Sequence, residues 1–191
     1  TVHANNWERD KVELYFDMDN SKIDAASGYD ANDLQLGFEY DGDYSTMLNG
    51  AVNAKSMQTA TGWSLDVAIP WDSLQDGFVP TDDMIIGYDV QAIDNDGADR
   101  ETKLATMALA DNAWTNPAWM GEIKFLATGE VMMIYPTVLP WSEYTAVPME
   151  ITYFGETDGA DFSASSKTLC DMDNIYVYVE VTYDSLNTAH A

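Results

Sequence analysis

Hydrophobic and polar residues alternate with a period of two along much of the chain. The clearest segments are 11–16, 64–69 and 175–182, in which every second residue is Val, Leu, Ile or Phe. This period is typical of a β-strand that buries one face. Further strands are predicted at 34–40, 84–93, 103–109, 122–126, 131–135 and 148–153. The one short helical turn is predicted at 71–74, directly after Pro70.

Clusters of Asp, Asn and Gly separate these strands. Such residues form tight turns, and they occur at 17–21, 41–43, 94–97, 158–161 and 171–174. Many short strands joined by such turns indicate an all-β, antiparallel β-sandwich. A length of 191 residues suits a single domain.

The charge of the chain excludes several classes of partner. Eight basic and 33 acidic residues give a formal net charge of −25. Nucleic acids and anionic membrane surfaces are bound through Lys and Arg, so we expect neither as a partner. No apolar run approaches the ~18 residues of a membrane span. No signal peptide opens the chain, so the protein is expected to be cytosolic or already processed.

Cysteine and histidine are too scarce for several kinds of chemistry. Cys170 is the only cysteine, which excludes a disulfide within the chain and favours a buried free thiol. His3 and His190 lie at the termini, where order is usually poor. A zinc cluster, a Ser-His-Asp triad or a haem site with His and Met ligands is therefore not expected.

Acidic turns make calcium the favoured metal. Asp17, Asp19 and Ser21 are spaced so that alternate side chains of a tight loop can point at one ion, and Asp94 with Asp96 and Asp171 with Asp173 repeat the spacing. Calcium takes six to eight oxygen ligands, and the surplus of negative charge favours a bound cation. The alternative is that these residues serve only as turn formers.

Two of the six tryptophans lie in polar surroundings. Trp7 follows two asparagines just before the first predicted strand, and Trp114 lies in a loop-like run of Asp, Asn, Thr and Pro. An exposed indole beside planar polar groups suits a sugar, because the ring stacks on the C–H face while the polar groups take the hydroxyls. The alternative is ordinary packing. Pairs of carboxylates are too abundant here to indicate a glycosidase.

Five segments in order along the chain carry motifs of one known family: Asn6–Asp17, Asp33–Leu36, Gly62–Trp71, Ile86–Asp94 with Arg100 after it, and Trp114–Ile123. Together they resemble the family 9 carbohydrate-binding modules, calcium-binding β-sandwiches attached to xylanases and related secreted enzymes. The resemblance implies a jelly-roll-like antiparallel sandwich and a non-catalytic binding function.

The order of segments then departs from the family. Residues 1–128 resemble the later two-thirds of a module, and residues 130–191 resemble its first third, which in the family comes first. Together they make one module over 1–191. Four explanations are open: a circular permutant, closure in trans with the C-terminal strands completing the next subunit, a piece spanning two tandem modules, or segments written out of order.

The resemblance also implies a set of site residues. The family's sugar is held between two tryptophans, which correspond to Trp7 and Trp114. The polar partners correspond to Glu13, Gln35, Asp94 and Arg100. The family has an arginine where this chain has Gly37, so we expect a different affinity or preferred sugar. Calcium, in a structural role, is expected on carboxylates of the loops between strands, with Asp17, Asp19 and Asp184 as the candidate ligands.

The sequence therefore predicts a non-enzymatic module that binds β-glycans of the xylan or cellulose type. The expected setting is extracellular or at the cell surface, in company with a glycoside hydrolase. The alternative is a structural subunit of a surface filament or array, assembled by exchange of the C-terminal strands. In that case residues 130–191, or a neighbouring tandem module, mediate self-association.

Overall fold

A computed structural model describes nine ranges of the chain: 9–22, 28–40, 42–44, 46–95, 100–108, 110–125, 141–143, 145–154 and 162–183. Within these ranges the protein consists mainly of antiparallel strands. The strands are β1 (Lys11–Asp17), β2 (Asp33–Glu39), β3 (Asn53–Gln58), β4 (Gly62–Pro70), β5 (Ile85–Asp94), β6 (Thr102–Ala105), β7 (Gly121–Lys124), β8 (Val147–Pro148), β9 (Ile151–Phe154), β10 (Phe162–Cys170) and β11 (Asn174–Tyr183). A single helical turn, α1 (Trp71–Leu74), follows β4, and 3₁₀ turns occur at Met47–Gly50, Pro117–Trp119 and Trp141–Glu143.

The strands form two sheets. In the first sheet the order is β2-β1-β5-β6-β9, with β7 also paired to β5. In the second sheet the order is β3-β4-β11-β10-β8. All pairings are antiparallel, so the predicted antiparallel β-sandwich is confirmed.

The core lies between the sheets and follows the period of two. On the first sheet, Val12, Leu14 and Phe16 of β1 face inward and are fully buried. On the second sheet the inward residues are those of β4 and β11, namely Trp63, Leu65, Val67, Ile69, Ile175, Val177, Val179 and Val181. The two layers are joined by a hydrogen bond of 2.9 Å between the Tyr88 hydroxyl of β5 and the Thr168 hydroxyl of β10.

The C-terminal strands are integral to the sandwich. β11 lies between β4 and β10 and pairs with β4 from Asn174 opposite Pro70 to Thr182 opposite Gly62. An added Cβ on Gly62 would come within 1.9 Å of the Val181 carbonyl oxygen, so the two backbones are in close contact there. Residues 162–183 therefore complete the second sheet within the same chain.

The start of β1 and the end of β11 lie at one end of the molecule. Tyr40, which follows the residue paired with Lys11, packs on Trp63 with 5.7 Å between ring centroids. Trp63 is in turn paired with Val181, two residues before β11 ends. The two strand ends are therefore connected through the contact between Tyr40 and Trp63.

The predicted strands and the observed ones agree in most places. The turn at 71–74 is confirmed, β6 ends four residues earlier than predicted, and the predicted strand 148–153 is divided between β8 and β9. β3 and β10 are additional to the strands predicted from alternation. The strand predicted at 131–135 lies outside the described residues. In the part of the chain that is described, no helix is long and apolar enough to cross a membrane.

A core substitution in β11 tests whether the C-terminal segment contributes to stability. Ile175 is fully buried, so Ile175→Ala is expected to lower the free energy of unfolding by about 2–5 kcal/mol, through lost burial and the cavity left behind. Urea denaturation measures this. Met172, in the turn before β11, is 64% exposed, and Met172→Ala should change stability by less than about 0.5 kcal/mol. Equal stabilities of the two variants would contradict the placement of β11.

Candidate functional site

The outer face of the first sheet carries a polar cleft. Its volume is about 880 Å³, which is in the range of small-molecule sites. The residues that line it come from β1, β2, β6 and the loops next to them: Lys11, Glu13, Tyr15, Gln35, Gly37, Glu39, Met47, Arg100, Lys103, Asp111 and Trp114. Antiparallel register brings them together, since Glu13 pairs with Gly37 and Tyr15 pairs with Gln35.

The Glu13 carboxylate forms the floor of the cleft and is only 3% exposed. Its Oε1 accepts hydrogen bonds from Lys11 Nζ at 2.6 Å and Gln35 Nε2 at 3.0 Å. Its Oε2 accepts one from the Tyr15 hydroxyl at 2.5 Å and lies 3.2 Å from Lys103 Nζ. Both oxygens are therefore engaged by the protein itself.

The ionised form of Glu13 is strongly favoured. Burial alone would raise the pKa of Glu13, but the positive charges of Lys103 and Lys11, with hydrogen bonds from Lys11 and Tyr15, lower it to about 2. The same burial and the neighbouring Glu13 charge raise the pKa of Tyr15. The tyrosine hydroxyl thus stays a hydrogen-bond donor, and the carboxylate stays an acceptor, across the physiological pH range.

The Lys11 side chain passes over Gly37. A Cβ at position 37 would lie 3.9 Å from Lys11 Cδ and 4.0 Å from Lys11 Nζ, which is ordinary van der Waals contact. Lys11 therefore places a cation beside Glu13, next to the position of β2 at which the resemblance leads us to expect an arginine. The loss of that arginine does not leave the carboxylate without a positive partner.

A second acidic group ties the loop after β6 to the sheet. Asp111 Oδ1 accepts a hydrogen bond from Lys103 Nζ at 2.9 Å, and Asp111 Oδ2 accepts one from Arg100 Nη2 at 3.2 Å. Lys103 is 2% exposed, and its Nζ pairs with both Glu13 and Asp111. The floor and the wall of the cleft form one network of ion pairs.

The loop over residues 106–120 is held on the sheet by Asp89, which is fully buried. Asp89 Oδ1 accepts hydrogen bonds from the Thr106 hydroxyl at 2.8 Å and from the Met107 N–H at 2.9 Å. Asp89 Oδ2 accepts one from Gln91 Nε2 at 2.7 Å. Burial raises the pKa of Asp89 against the effect of these bonds. These hydrogen bonds therefore hold Thr106 and Met107, at the start of the loop, against β5.

Trp114 stands at the edge of the cleft on this loop. Its side chain is 55% exposed, and its indole Nε1 donates to the Asp111 carbonyl oxygen at 3.1 Å. Further along, the Tyr29 hydroxyl donates to the Ala113 carbonyl oxygen at 2.5 Å. The ring is thus held by its N–H, while much of its surface is open to a ligand.

Charges in the cleft are balanced. Three of the eight basic residues of the chain line it, Lys11, Arg100 and Lys103, beside three carboxylates. Each of these carboxylates has a cationic partner. Glu13 pairs with Lys11, Asp111 pairs with Arg100, and Arg9 Nη1 lies 2.9 Å from Glu39 Oε2. A neutral ligand with many hydroxyls would meet both donors and acceptors there.

The structure brings together four of the predicted sugar ligands: Glu13, Gln35, Arg100 and Trp114 all line the cleft. Trp7 lies outside the described residues. Asp94, at the end of β5, does not line the cleft. It follows Val90 and Ala92 at every second position along β5 and so lies on the same face as these core residues, and it is buried. Its role in sugar binding stays a prediction without support from the cleft.

Sequence reasoning missed Lys11, Tyr15, Lys103 and Asp111 as site residues. The lysines and the tyrosine occupy ordinary polar positions of alternating strands. For Lys11 and Tyr15 the available signal was the alternation of β1, which places both on the same face as Glu13. For Lys103 it was the scarcity of basic residues, of which only four occur in the first 99 positions.

Carboxylates also face each other at the far end of β1. Asp17 is directly opposite Asp33 in register, and both are buried. Like charges in this arrangement destabilise a sheet unless a cation lies between them. Burial raises the pKa of each. Asp33 Oδ1 and Asn20 Oδ1 are buried without a hydrogen-bond partner among the described residues. Oxygen donors of this kind fit calcium.

The predicted metal ligands are only partly placed. Asp19 lies beside Asp17 in the same turn, where the backbone N–H of Ser21 donates to both carboxylates. Asp184 lies outside the described residues. β11 ends near the Lys11 end of β1, whereas Asp17 is at the other end of that strand. Within the described ranges, no three His, Cys, Asp or Glu side chains converge as a metal site.

The Glu13 network predicts a pH dependence of stability. Because the folded-state pKa of about 2 is below the ordinary value of 4.5, the stabilisation is complete above pH 4.5 and is lost as the pH falls through about 2. Glu13→Gln should therefore cost about 3 kcal/mol at pH 7, because buried Lys11 loses its carboxylate partner and buried Lys103 loses one of two. Urea denaturation at several pH values measures the cost.

The difference in unfolding free energy between the native chain and Glu13→Gln should shrink between pH 4.5 and pH 2. A difference that stays constant over that range would show that the carboxylate is not ionised in the network. Glu180→Gln, at an exposed position of β11, is the matched control and should change stability by less than about 0.5 kcal/mol.

Solved structures with a similar fold are known. A family 9 carbohydrate-binding module from Caldicellulosiruptor kristjanssonii, in complex with cellotriose, aligns with a TM-score of 0.52 at 24% identity over 70% of this chain and 68% of that one. The same organism's module in complex with glucose gives 0.50 at 22% identity, over 64% and 62% of the two chains. These likenesses concern the fold.

Among curated proteins, the matches lie in enzymes much longer than this chain. Exoglucanase XynX of Acetivibrio thermocellus is 32% identical over 132 residues, which is 66% of this chain and 11% of the enzyme. Endo-1,4-beta-xylanase A of Thermoanaerobacterium saccharolyticum is 31% identical over 131 residues, 66% of this chain and 10% of the enzyme. The chain thus spans about a tenth of the length of these relatives.

The family model described as "Carbohydrate family 9 binding domain-like" matches residues 1–127. That range is the part of the chain in which the motifs run in the family order, and it holds the lining of the cleft. The assignment of residues 130–191 to the displaced first third of a module stays a prediction. With two-thirds of its length matched, the chain belongs to the family 9 carbohydrate-binding domains, which are non-catalytic binding modules.

Proposed function

We propose that the cleft beside Trp114 binds a neutral β-glycan of the xylan or cellulose type. The observation that supports this most directly is an exposed indole held at the rim of a cleft whose floor is a buried, fully hydrogen-bonded polar network. A sugar needs both an apolar surface for its C–H face and fixed polar groups for its hydroxyls. The solved relatives in complex with cellotriose and glucose support the same class of ligand.

In this proposal the sugar ring stacks on Trp114, and Trp7 provides the second indole of a sandwich. Arg9, two residues after Trp7 in the sequence, pairs with Glu39, which lines the cleft. The rigid attachment of Trp114 through Asp111 means that little side-chain entropy is lost on stacking.

The hydroxyls of the sugar are taken by groups whose positions the ion pairs fix. Lys11, Arg100 and Lys103 carry donors, and Gln35 carries both a donor and an acceptor. Glu13 acts mainly through its partners: it holds Lys11, Lys103, Gln35 and Tyr15 in place. Because the charges are balanced, a uronic acid gains no unpaired cation, whereas a neutral sugar gains a preformed set of hydrogen bonds.

The proposed setting is extracellular or at the cell surface, next to a glycoside hydrolase. The matching regions of the curated relatives are parts of xylanases and an exoglucanase. A binding module beside a catalytic domain raises the local concentration of the polysaccharide.

We also propose a structural calcium ion at the Asp17 end of β1, held by Asp17 and Asp33 with Asp19 and Asn20 beside them. The support is the pair of buried carboxylates in direct register and the two buried oxygens without a partner. A divalent cation there would offset the repulsion between the two strands and part of the −25 charge.

Sugar binding is tested by isothermal titration calorimetry with cello- and xylo-oligosaccharides. Trp114→Ala is expected to weaken binding by at least about tenfold, because the stacking surface is lost. The thermal unfolding midpoint should stay close to that of the native chain, since the ring is 55% exposed. Trp7→Ala should weaken binding to a similar degree.

Met172→Ala is the control, because Met172 is exposed in the turn between β10 and β11 and does not line the cleft. Its sugar affinity should equal that of the native chain. If no sugar binds, or if Trp114→Ala binds as tightly as the native chain, the proposed function is wrong.

Calcium binding predicts a change in thermal stability. A ligand that binds only the folded state raises the unfolding midpoint with its concentration, so added calcium should raise it and chelation should lower it. Asp17→Asn together with Asp33→Asn should remove this response. Asp76→Asn, in the exposed turn after α1, should leave it unchanged. A midpoint that does not respond to calcium would contradict the site.

A further inference from the structure

A second groove lies at the other end of the loop that carries Trp114. Trp119 is 42% exposed and lines a groove of about 610 Å³. The other lining residues are Lys22, Met107, Ala118, Met120, Gly121 and Glu122. An exposed indole in a groove with a lysine and a carboxylate repeats the chemistry of the first cleft.

The polar groups of this groove are fixed by the fold. Lys22 Nζ donates to the carbonyl oxygens of Met120 at 2.9 Å and Gly121 at 3.2 Å, which leaves the third donor of the ammonium for a ligand. The Glu122 carboxylate accepts a hydrogen bond from Asn20 Nδ2 at 3.3 Å and has acceptor positions beyond it. A hydroxyl-bearing ligand would find both a donor and an acceptor.

In the apolar part of the groove, Met107 packs closely against the backbone of Gly121. A Cβ on Gly121 would come within 2.3 Å of Met107 Cβ, so Met107 lies directly on the Gly121 backbone. Trp119 itself belongs to the 3₁₀ turn Pro117–Trp119, which is capped by the Asn116 side chain accepting a hydrogen bond from the Ala118 N–H at 2.9 Å. The indole is therefore carried by an anchored turn.

The two indoles lie within reach of one ligand chain. Trp114 and Trp119 are five residues apart, so their Cα atoms are separated by at most ~18 Å. The loop is flanked by Ala113 and Met120, which belong with Tyr15 to one buried cluster. Trp114 of this loop lines the cleft and Trp119 lines the groove, so the two lie at the two ends of one loop.

We propose that Trp119 is a second stacking platform, which binds a further sugar of the same neutral glycan chain that occupies the Trp114 cleft. This inference rests on the proposed function. It assigns the module a gain in affinity for longer oligosaccharides that depends on Trp119. An anionic chain is disfavoured, since Glu122 lines the groove and the protein carries a charge of −25.

The test compares short and long sugars on the full chain. Calorimetry is performed with glucose, cellobiose and cellohexaose, and with xylobiose and xylohexaose, on the native chain and on Trp119→Ala. The native chain should bind the six-sugar ligand about threefold to tenfold more tightly than the two-sugar ligand. Trp119→Ala should lose this gain and bind the short sugars unchanged.

Two further variants separate stacking from a general effect on the loop. Trp119→Phe keeps an aromatic ring and should retain part of the gain for the six-sugar ligand. Glu122→Gln keeps the shape of the side chain and an acceptor, and should have a smaller effect than Trp119→Ala. Thermal unfolding of each variant checks that the loop is intact.

The outcomes distinguish this inference from the proposed function. If the short sugars bind, Trp114→Ala weakens them and Trp119→Ala matches the native chain at every length, the second platform is wrong and the first cleft stands. If neither short nor long sugars bind the native chain, both proposals fail. A gain with length that disappears only in Trp119→Ala supports the second platform.

Discussion

The buried carboxylate of Glu13 is the group on which the arrangement of the cleft depends. It is 3% exposed, and two lysines, one amide and one hydroxyl all hydrogen-bond to it or pair with it. The partners come from β1, β2 and β6, so one acidic side chain fixes the relative positions of three strands. Removing the charge would take the carboxylate partner from buried Lys11 and one of two from buried Lys103, which costs more than the pairs themselves contribute. The cleft is therefore preformed before any ligand arrives.

The sandwich explains how such a network can be maintained at one face of a sheet. The inward face of β1 is wholly apolar and is covered by β4 and β11, so the strand cannot shift register by one residue without burying Lys11 and Glu13 in the core. The hydrophobic packing of the second sheet thus fixes the register of the polar residues on the first. Since β11 comes from the C-terminal segment, the site in residues 11–114 depends on strands that the family match does not include.

Much of this was predictable from the sequence, because alternation of Val, Leu and Ile with polar residues reports directly on strands such as β1, β4 and β11. β10 was not predicted, since its buried positions Ala164 and Ser166 are too small and polar to give a hydrophobic signal. Lys103 was missed for a different reason. Its contact with Glu13 arises from strand pairing across β5, which connects residues 90 positions apart, and no local pattern encodes that register.

The concentration of basic residues at the cleft follows from the same physics. Positive charges favour the ionised form of a buried acid, and in this chain of 33 carboxylates Lys11 and Lys103 lie beside Glu13. Arg100 and Lys103 also pair with Asp111. On β2 the family arginine is replaced by Gly37, and the Lys11 side chain passes over this glycine and reaches Glu13. For a ligand, a lysine and an arginine are not equivalent, because a lysine offers a compact ammonium where an arginine offers a planar fork of donors. In the proposed function, Gly37 with Lys11 over it should therefore select a different sugar from the one that the family arginine selects.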